Sequence, residues 1–278
     1  MKKKLLIIGV FVCGFLIFSY PFLANYVSTT THIKEVKTYD KSVELLTSKK
    51  KKDLTEEAER YNQKVKDERI DFVDPFEKKP TKTKNKSYYD ALNIGEVMAT
   101  LEIPKIEMTL PIYHGTSEEV LSRGVGHMEN SALPIGGKGT HSVLTGHRGL
   151  PSAKLFRDLD KLKKGDEFFI HVLDKTYAYE VTTERIVLPD ETEWLIQEPD
   201  KEQVTLLTCE PYMINTHRLL VTGERVPYEK GAPEVKVSRY DTKKLMYIKW
   251  GIVSAILIGI ISGLYIVIRY LKQKRRGN

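Results

Sequence analysis

The chain has 278 residues, a formal net charge of +7 and only two cysteines. Its middle is long enough to bury one good core, and two cysteines exclude a disulfide-stapled scaffold. Much of the basic excess flanks two apolar end segments, and the remaining Lys is dispersed without an aromatic-interleaved patch, which argues against nucleic acid as a partner.

Leu5 to Leu23 is uncharged and follows Met1-Lys2-Lys3-Lys4; Trp250 to Ile268 is uncharged and precedes Arg269, Lys272, Lys274, Arg275 and Arg276. Each run approaches the roughly 20 apolar residues that a bilayer crossing takes. The sequence therefore predicts an N-terminal transmembrane anchor over 1–28, a C-terminal transmembrane helix over 248–269 and a basic tail over 270–278. The positive-inside bias puts both termini in the cytoplasm and the middle outside the cell membrane. An uncleaved anchor is favoured over a signal peptide, because the apolar run is long and no A-x-A-like site follows it at once.

Residues 29–69 form a helical arm: Val36, Leu45, Leu46, Leu54, Ala58, Tyr61 and Val65 recur at roughly helical spacing. Lys49–Lys52 predicts a break into two helices, with Asp53 or Thr55 capping the second, and the arm's expected role is that of a spacer. Residues 70–90 change composition. Pro75, Pro80 and a Lys/Thr run argue against regular structure, while Phe72, Val73 and Phe76 are apolar, so the segment is either a linker or a flap that packs on the domain.

From 91 to 230 the pattern is mainly β. Strands are expected at Val97–Ile103, Ile106–Tyr113, His141–Thr145, Phe168–Leu173, Tyr177–Val181, Arg185–Leu188, Gln203–Thr208 and Arg218–Val226, with short helices at Glu118–Ser122 and Ala153–Leu159. Many short strands in one domain imply a closed or nearly closed barrel. A linker, 231–247, leads to the second apolar segment. No zinc-like Cys/His spacing and no Walker loop is present, so neither metal nor cofactor is expected.

Cys13 lies inside the first apolar run, so Cys209 stands alone in the exported region. A lone exported thiol is either a core residue or a reactive group. Cys209 ends one expected strand and Arg218 begins the next, so a hairpin would put thiol and guanidinium at one mouth. Among the exported histidines, His147 sits in a glycine-flanked loop after a strand, a suitable perch over a cleft; His217 adjoins Arg218 but would face the other way.

Thr205-Leu206-Leu207-Thr208-Cys209 resembles the TLxTC signature of the sortases, and Thr145-Gly146-His147-Arg148 and Arg218 resemble that family's other two active-site positions. The similarity runs from about Leu92 to Val226. Thr145–Leu159, Asn215–Arg218, the C-terminal apolar segment and Asp74-Pro75-Phe76 resemble the class C, pilin-polymerising branch, the last as its lid motif. The resemblance implies a sortase-like closed barrel. It also implies a cysteine transpeptidase that cleaves an LPxTG-like signal between Thr and Gly and joins the acyl group to a pilin lysine. Cys209 would be the nucleophile, His147 the acid and base, and Arg218 the stabiliser of the oxyanion or substrate carbonyls. Glu210 and Thr208 are candidates for oxyanion or substrate contacts, the former through its N–H. Glu210 departs from the small polar residue expected after the cysteine. Arg218 and a protonated His147 are expected to lower the thiol pKa. No third residue is evident to orient His147. Attachment of proteins to a cell-wall precursor, a non-enzymatic bitopic adhesin or scaffold, and a thiol protease that hydrolyses its acyl-enzyme are the competing readings.

Overall fold

The segment Val97–Ile103 is apolar or β-branched at almost every position, and it is buried at almost every position because both of its edges and both of its faces are covered. It is β1 of a closed eight-stranded barrel in the chain's computed structural model, which describes residues 2–68, 73–76, 86–228 and scattered positions between 246 and 272. The other strands are β2 (Met108–His114), β3 (Val125–His127), β4 (Thr140–Thr145), β5 (Glu167–Val172), β6 (Lys175–Val187), β7 (Glu202–Glu210) and β8 (His217–Val226). Their order around the barrel is β1-β2-β3-β4-β7-β8-β6-β5, and the pairing of β1 with β5 closes it. The pairs β2–β3 and β4–β7 are parallel and the rest antiparallel. Phe168 and Tyr179 stack in the interior, ring centroids 5.5 Å apart.

Among the described residues four α-helices precede or interrupt the strands, α1 (Lys2–Glu44), α2 (Ser48–Asp67), α3 (Lys86–Asp90) and α4 (Glu118–Arg123), besides short 3-10 turns at Pro104–Ile106, Leu155–Lys161 and Glu193–Leu195. Contacts divide the chain into residues 30–240 and a separate unit of 1–29 with 241–278. No helix among the described residues is long and apolar enough to cross a membrane, so the fold lends no support to the expected spans at the two ends; most of 248–269 lies outside the described residues.

The arm departs from its expected form. Lys49–Lys52 does not break it into two helices. The break falls just before, where Thr47 caps α2 by accepting from Lys50 N at 3.2 Å, and the lysines occupy the first turn and a half. Nor is α2 only a spacer. Leu54, Ala58, Tyr61, Asn62 and Val65 share one buried face; Ala58, Tyr61 and Val65 join the main core. The Asn62 amide donates to Leu133 O at 3.0 Å and accepts from Leu133 N at 2.6 Å, and Asn130 N donates to the Tyr61 hydroxyl at 3.2 Å. The end of α1 is docked likewise, with Tyr39 and Val43 packed against Val97 and Tyr113.

Two further differences have local causes. The segments expected as separate strands at 177–181 and 185–188 are one 13-residue strand, β6, whose register shifts between Val181 and Thr183; a bulge there interrupts the alternation without ending the pairing. The three-residue β3 is too short to show a period.

Replacing Asn62 with Ala leaves the buried Leu133 N without its acceptor and takes one of two donors from Leu133 O, which keeps Ile135 N at 2.8 Å. The expected loss is about 1–3 kcal/mol in urea unfolding, whereas Gln63→Ala, which removes an exposed bond to Asp67, leaves the midpoint in place.

Candidate active site

Strands β7 and β8 pair antiparallel with Cys209 directly opposite Arg218. The connecting loop therefore carries thiol and guanidinium at one mouth. Both side chains are buried, Cys209 at 6% and Arg218 at 7% exposure. Arg218 is held from below by the loop itself: its Nη1 donates to Asn215 O at 3.0 Å and His217 O at 2.9 Å.

His147 reaches the same mouth from β4, which lies parallel to β7. One residue past the last ladder pair, Gly146 N donates to Leu207 O at 3.1 Å, and the Thr208 hydroxyl donates to Gly146 O at 2.6 Å. The next residue on each strand is His147 and Cys209, so their separation is fixed by backbone. A side chain at position 146 would stand 3.0 Å from the Phe156 ring, which is why glycine precedes the histidine. Thr208, a candidate for substrate or oxyanion contact, is fully buried with its hydroxyl committed to Gly146. Its side chain braces the histidine loop and does not line the mouth.

Glu210 also has a partner that sequence spacing could not reveal. Its carboxylate pairs with Arg148, whose Nη2 lies 2.9 Å from Asp160 Oδ2. Arg148 is buried and follows His147; Glu210 follows Cys209. The unexpected glutamate is thus the counter-ion of a cation that locks the histidine loop to the end of β7. The Glu210–Pro211 peptide is cis.

The remaining histidines are engaged elsewhere. His127 bonds Ala132 O at 2.9 Å and burial pushes its pKa down to about 3. His114 bonds Ala91 O at 2.8 Å, and His171 lies 3.0 Å from Glu102. His32 is buried, and His217 contacts Thr216. His141 has its Nε2 2.7 Å from the Thr205 hydroxyl, which in turn meets Thr222 at 2.7 Å; it ties β4, β7 and β8 together with its pKa pushed down to about 4 by burial.

Over this mouth lies the segment 73–76. Arg218 Nε donates to Asp74 Oδ1 at 2.7 Å and Nη2 to Asp74 Oδ2 at 2.6 Å, a two-pronged pair shut away from water. The Phe76 ring lies 5.4 Å from the His147 ring and 5.2 Å from the Arg218 guanidinium. It also packs on an apolar cluster that includes Met128, Val187, Leu195, Leu207 and Leu220. Beside Val73–Pro75 a shallow depression remains, walled by several of the same residues. The neighbouring residues 69–72 and 77–85, including Phe72 and Pro80, lie outside the described residues.

This cover reverses the expected sign for the thiol. Burial raises the Cys209 pKa most, Arg218 lowers it, and the Asp74 carboxylate raises it again, for a value of about 11. The guanidinium acts in the direction expected; desolvation outweighs it. His147 meets one group that the sequence did not suggest: Glu118 Oε1, on α4, stands 3.4 Å from its Nε2, without the alignment of a hydrogen bond. Among the described residues no group of His, Cys, Asp and Glu could hold a metal ion.

Two outcomes follow from this geometry. Arg148→Met and Glu210→Thr should each slow thiol acylation, and in a double-mutant cycle the pair should show a coupling of about 0.5–3 kcal/mol in urea unfolding. Labelling of Cys209 by a small thiol reagent should rise only as pH approaches about 11. Asp74→Ala removes a carboxylate that raises the pKa and frees the cover, so its labelling curve should move to lower pH.

Comparison with known proteins agrees with this geometry. A family model described as Sortase domain matches residues 101–226. Sortase D of Bacillus subtilis (strain 168) is 35% identical over 146 residues, covering 51% of this chain and 70% of that protein. The crystal structure of Streptococcus pneumoniae sortase C, which concerns catalysis and pilin substrate specificity, is 39% identical with a TM-score of 0.65, covering 70% of this chain and 97% of that one. Sortase C-1 from Actinomyces oris is 46% identical with a TM-score of 0.60, covering 63% and 99%. With its barrel, its thiol and its neighbours among the class C structures, the chain belongs to the sortase family of cysteine transpeptidases.

Proposed function

We propose that the chain polymerises pilins: it cleaves an LPxTG-like sorting signal between Thr and Gly and joins the new carboxyl end to a lysine amine of a pilin subunit. The observation that carries this reading is the cover itself, Asp74 on Arg218 with Phe76 against His147. It marks where a substrate carbonyl and an apolar side chain would bind. The pilus-related neighbours at 39–46% identity support the same reading.

In this scheme the signal's Leu-Pro segment takes the apolar surface that Phe76 vacates, and Arg218 exchanges Asp74 for a carbonyl or the developing oxyanion. Cys209 passes its thiol proton to His147 and attacks the threonine carbonyl carbon; the C–N bond to glycine breaks, and His147 gives that proton to the leaving amine. A thioester results. The N–H of Glu210 is a second oxyanion donor in this reading. Arg218 remains charged throughout and does no proton transfer. The closed form is the resting one, and opening precedes binding.

The uncharged runs Leu5–Leu23 and Trp250–Ile268, with their outer basic flanks, support a chain anchored in the cell membrane at both ends, its barrel outside and its termini inside. Pilin or surface proteins would then meet the mouth as they emerge from the same membrane.

The test is to incubate the chain and its Asp74→Ala variant with LPxTG-like peptides and weigh the protein. A thioester adduct on Cys209 is expected, faster in the variant, and absent in Cys209→Ala. Adding a pilin-derived lysine peptide should release an isopeptide-linked product in preference to one made with a wall-peptide amine. No adduct in either form would sink the proposal; preference for the wall amine would replace pilus polymerisation with wall attachment.

A further inference from the structure

The second half of the reaction poses a problem the first does not. The acceptor is a lysine, whose ammonium, with a pKa near ~10.4, is protonated at neutral pH and cannot attack a thioester. It must be drawn to the mouth, placed beside a base and stripped of a proton. The acyl chain meanwhile occupies the surface where Phe76 now packs, against His147, Arg218 and the apolar cluster. The acceptor therefore needs another approach to His147.

We infer that Glu118 is the docking point for the acceptor lysine's ammonium, an inference that rests on the transpeptidase reading above. Glu118 Oε1 lies 3.4 Å from His147 Nε2, and its side chain is 80% exposed, so the carboxylate faces both the base and open solvent. His147 Nε2 is itself buried and has no hydrogen-bond partner. An ammonium seated on Glu118 would meet that nitrogen as its nearest basic atom.

The carboxylate is held in place by its helix. Ser117 caps α4 by accepting from Val120 N at 3.3 Å, and Leu121 is buried at 1% exposure. The helix lies so close to β3 that a side chain at Gly126 would collide with the Gly115 carbonyl and stand 2.9 Å from Leu121 Cδ2. Glycine at 126 lets α4 approach, and the approach puts Glu118 beside His147.

The balance of the step is as follows. The lysine ammonium on Glu118 loses one proton to His147 Nε2 and becomes an amine. Its nitrogen bonds to the thioester carbonyl carbon, and the C–S bond breaks. Of the two protons lost by nitrogen, one returns to the Cys209 sulfur through His147 and the other goes to solvent. The carboxylate is unchanged; its charge favours a cation over water or a neutral amine.

The experiment uses the full chain carrying Asp74→Ala, loaded with an LPxTG-like peptide. The thioester is then offered a lysine peptide or hydroxylamine, which is uncharged at neutral pH. Glu118→Gln should lower the ratio of lysine to hydroxylamine product about two- to fivefold, the scale of one exposed charge pair. Glu118→Lys should lower it further, Glu119→Gln should not, and added salt should lower the ratio only where Glu118 is present. An unchanged ratio, or an equal fall with both nucleophiles, would overturn the inference; the latter would make Glu118 a support for His147 alone. Absence of any thioester with Glu118 intact would instead reject the transpeptidase reading, and this one with it.

Discussion

The guanidinium of Arg218 is always charged, and the fold places it where water is largely excluded. A charge in such a place requires a partner at every stage, because an uncompensated buried ion costs several kcal/mol. In the closed form Asp74 is that partner, bound through both carboxylate oxygens. The same need that makes Arg218 useful to a substrate carbonyl makes the empty site unstable, and the chain supplies its own occupant. Thiol protection follows from this arrangement: the cover that satisfies Arg218 also dries Cys209 and raises its pKa. Occupancy of the arginine and silence of the thiol are one state.

Around this exchangeable contact the rest of the site is rigid. Backbone bonds at Gly146, the Thr208 hydroxyl and the Arg148 bridge to Glu210 and Asp160 fix His147 against the end of β7. His141, Thr205 and Thr222 join the strands beneath. The division has an energetic logic. Catalytic groups lose rate quickly when misplaced by about 1 Å, whereas in the proposed scheme the cover must leave and return. The frame is therefore built from ladders and buried pairs, and the cover from a short segment with few strand or helix bonds of its own.

Much of this could be read from sequence, for identifiable reasons. The hairpin that pairs Cys209 with Arg218 follows from two alternating segments and a turn-rich loop between them, since register is local. The barrel follows from repeated short strands. What could not be read depends on contacts far apart in sequence or on burial. Asn62 meets Leu133, and Arg148 meets Glu210, across long separations that no period encodes. Glu210 looked like a departure because its counter-ion lies on another loop. The lysines 49–52 suggested a break, but Thr47 had already supplied the cap. The sign of the thiol shift went the other way because charge is visible in a sequence and desolvation is not. Glu118 lies in a helix that was expected, yet only its packing on β3 brings it to His147.

The docking of α2 has a consequence for how the site is occupied. Asn62 and Tyr61 fasten the end of α2 to the barrel, and Tyr88 fastens α3 through Gly115 and His127. The segment that carries Asp74 and Phe76 is therefore a strap secured at both ends. A strap competes with incoming peptide at an effective concentration of the order of millimolar, however dilute the protein. Apparent affinity for a sorting signal is reduced by the fraction of time the strap is seated. In the proposed scheme a stray peptide in solution would seldom displace it, whereas a protein held beside the mouth for long enough would. Selectivity of this kind is a matter of dwell time and local supply, set by a tether, and it needs no change in the walls of the site.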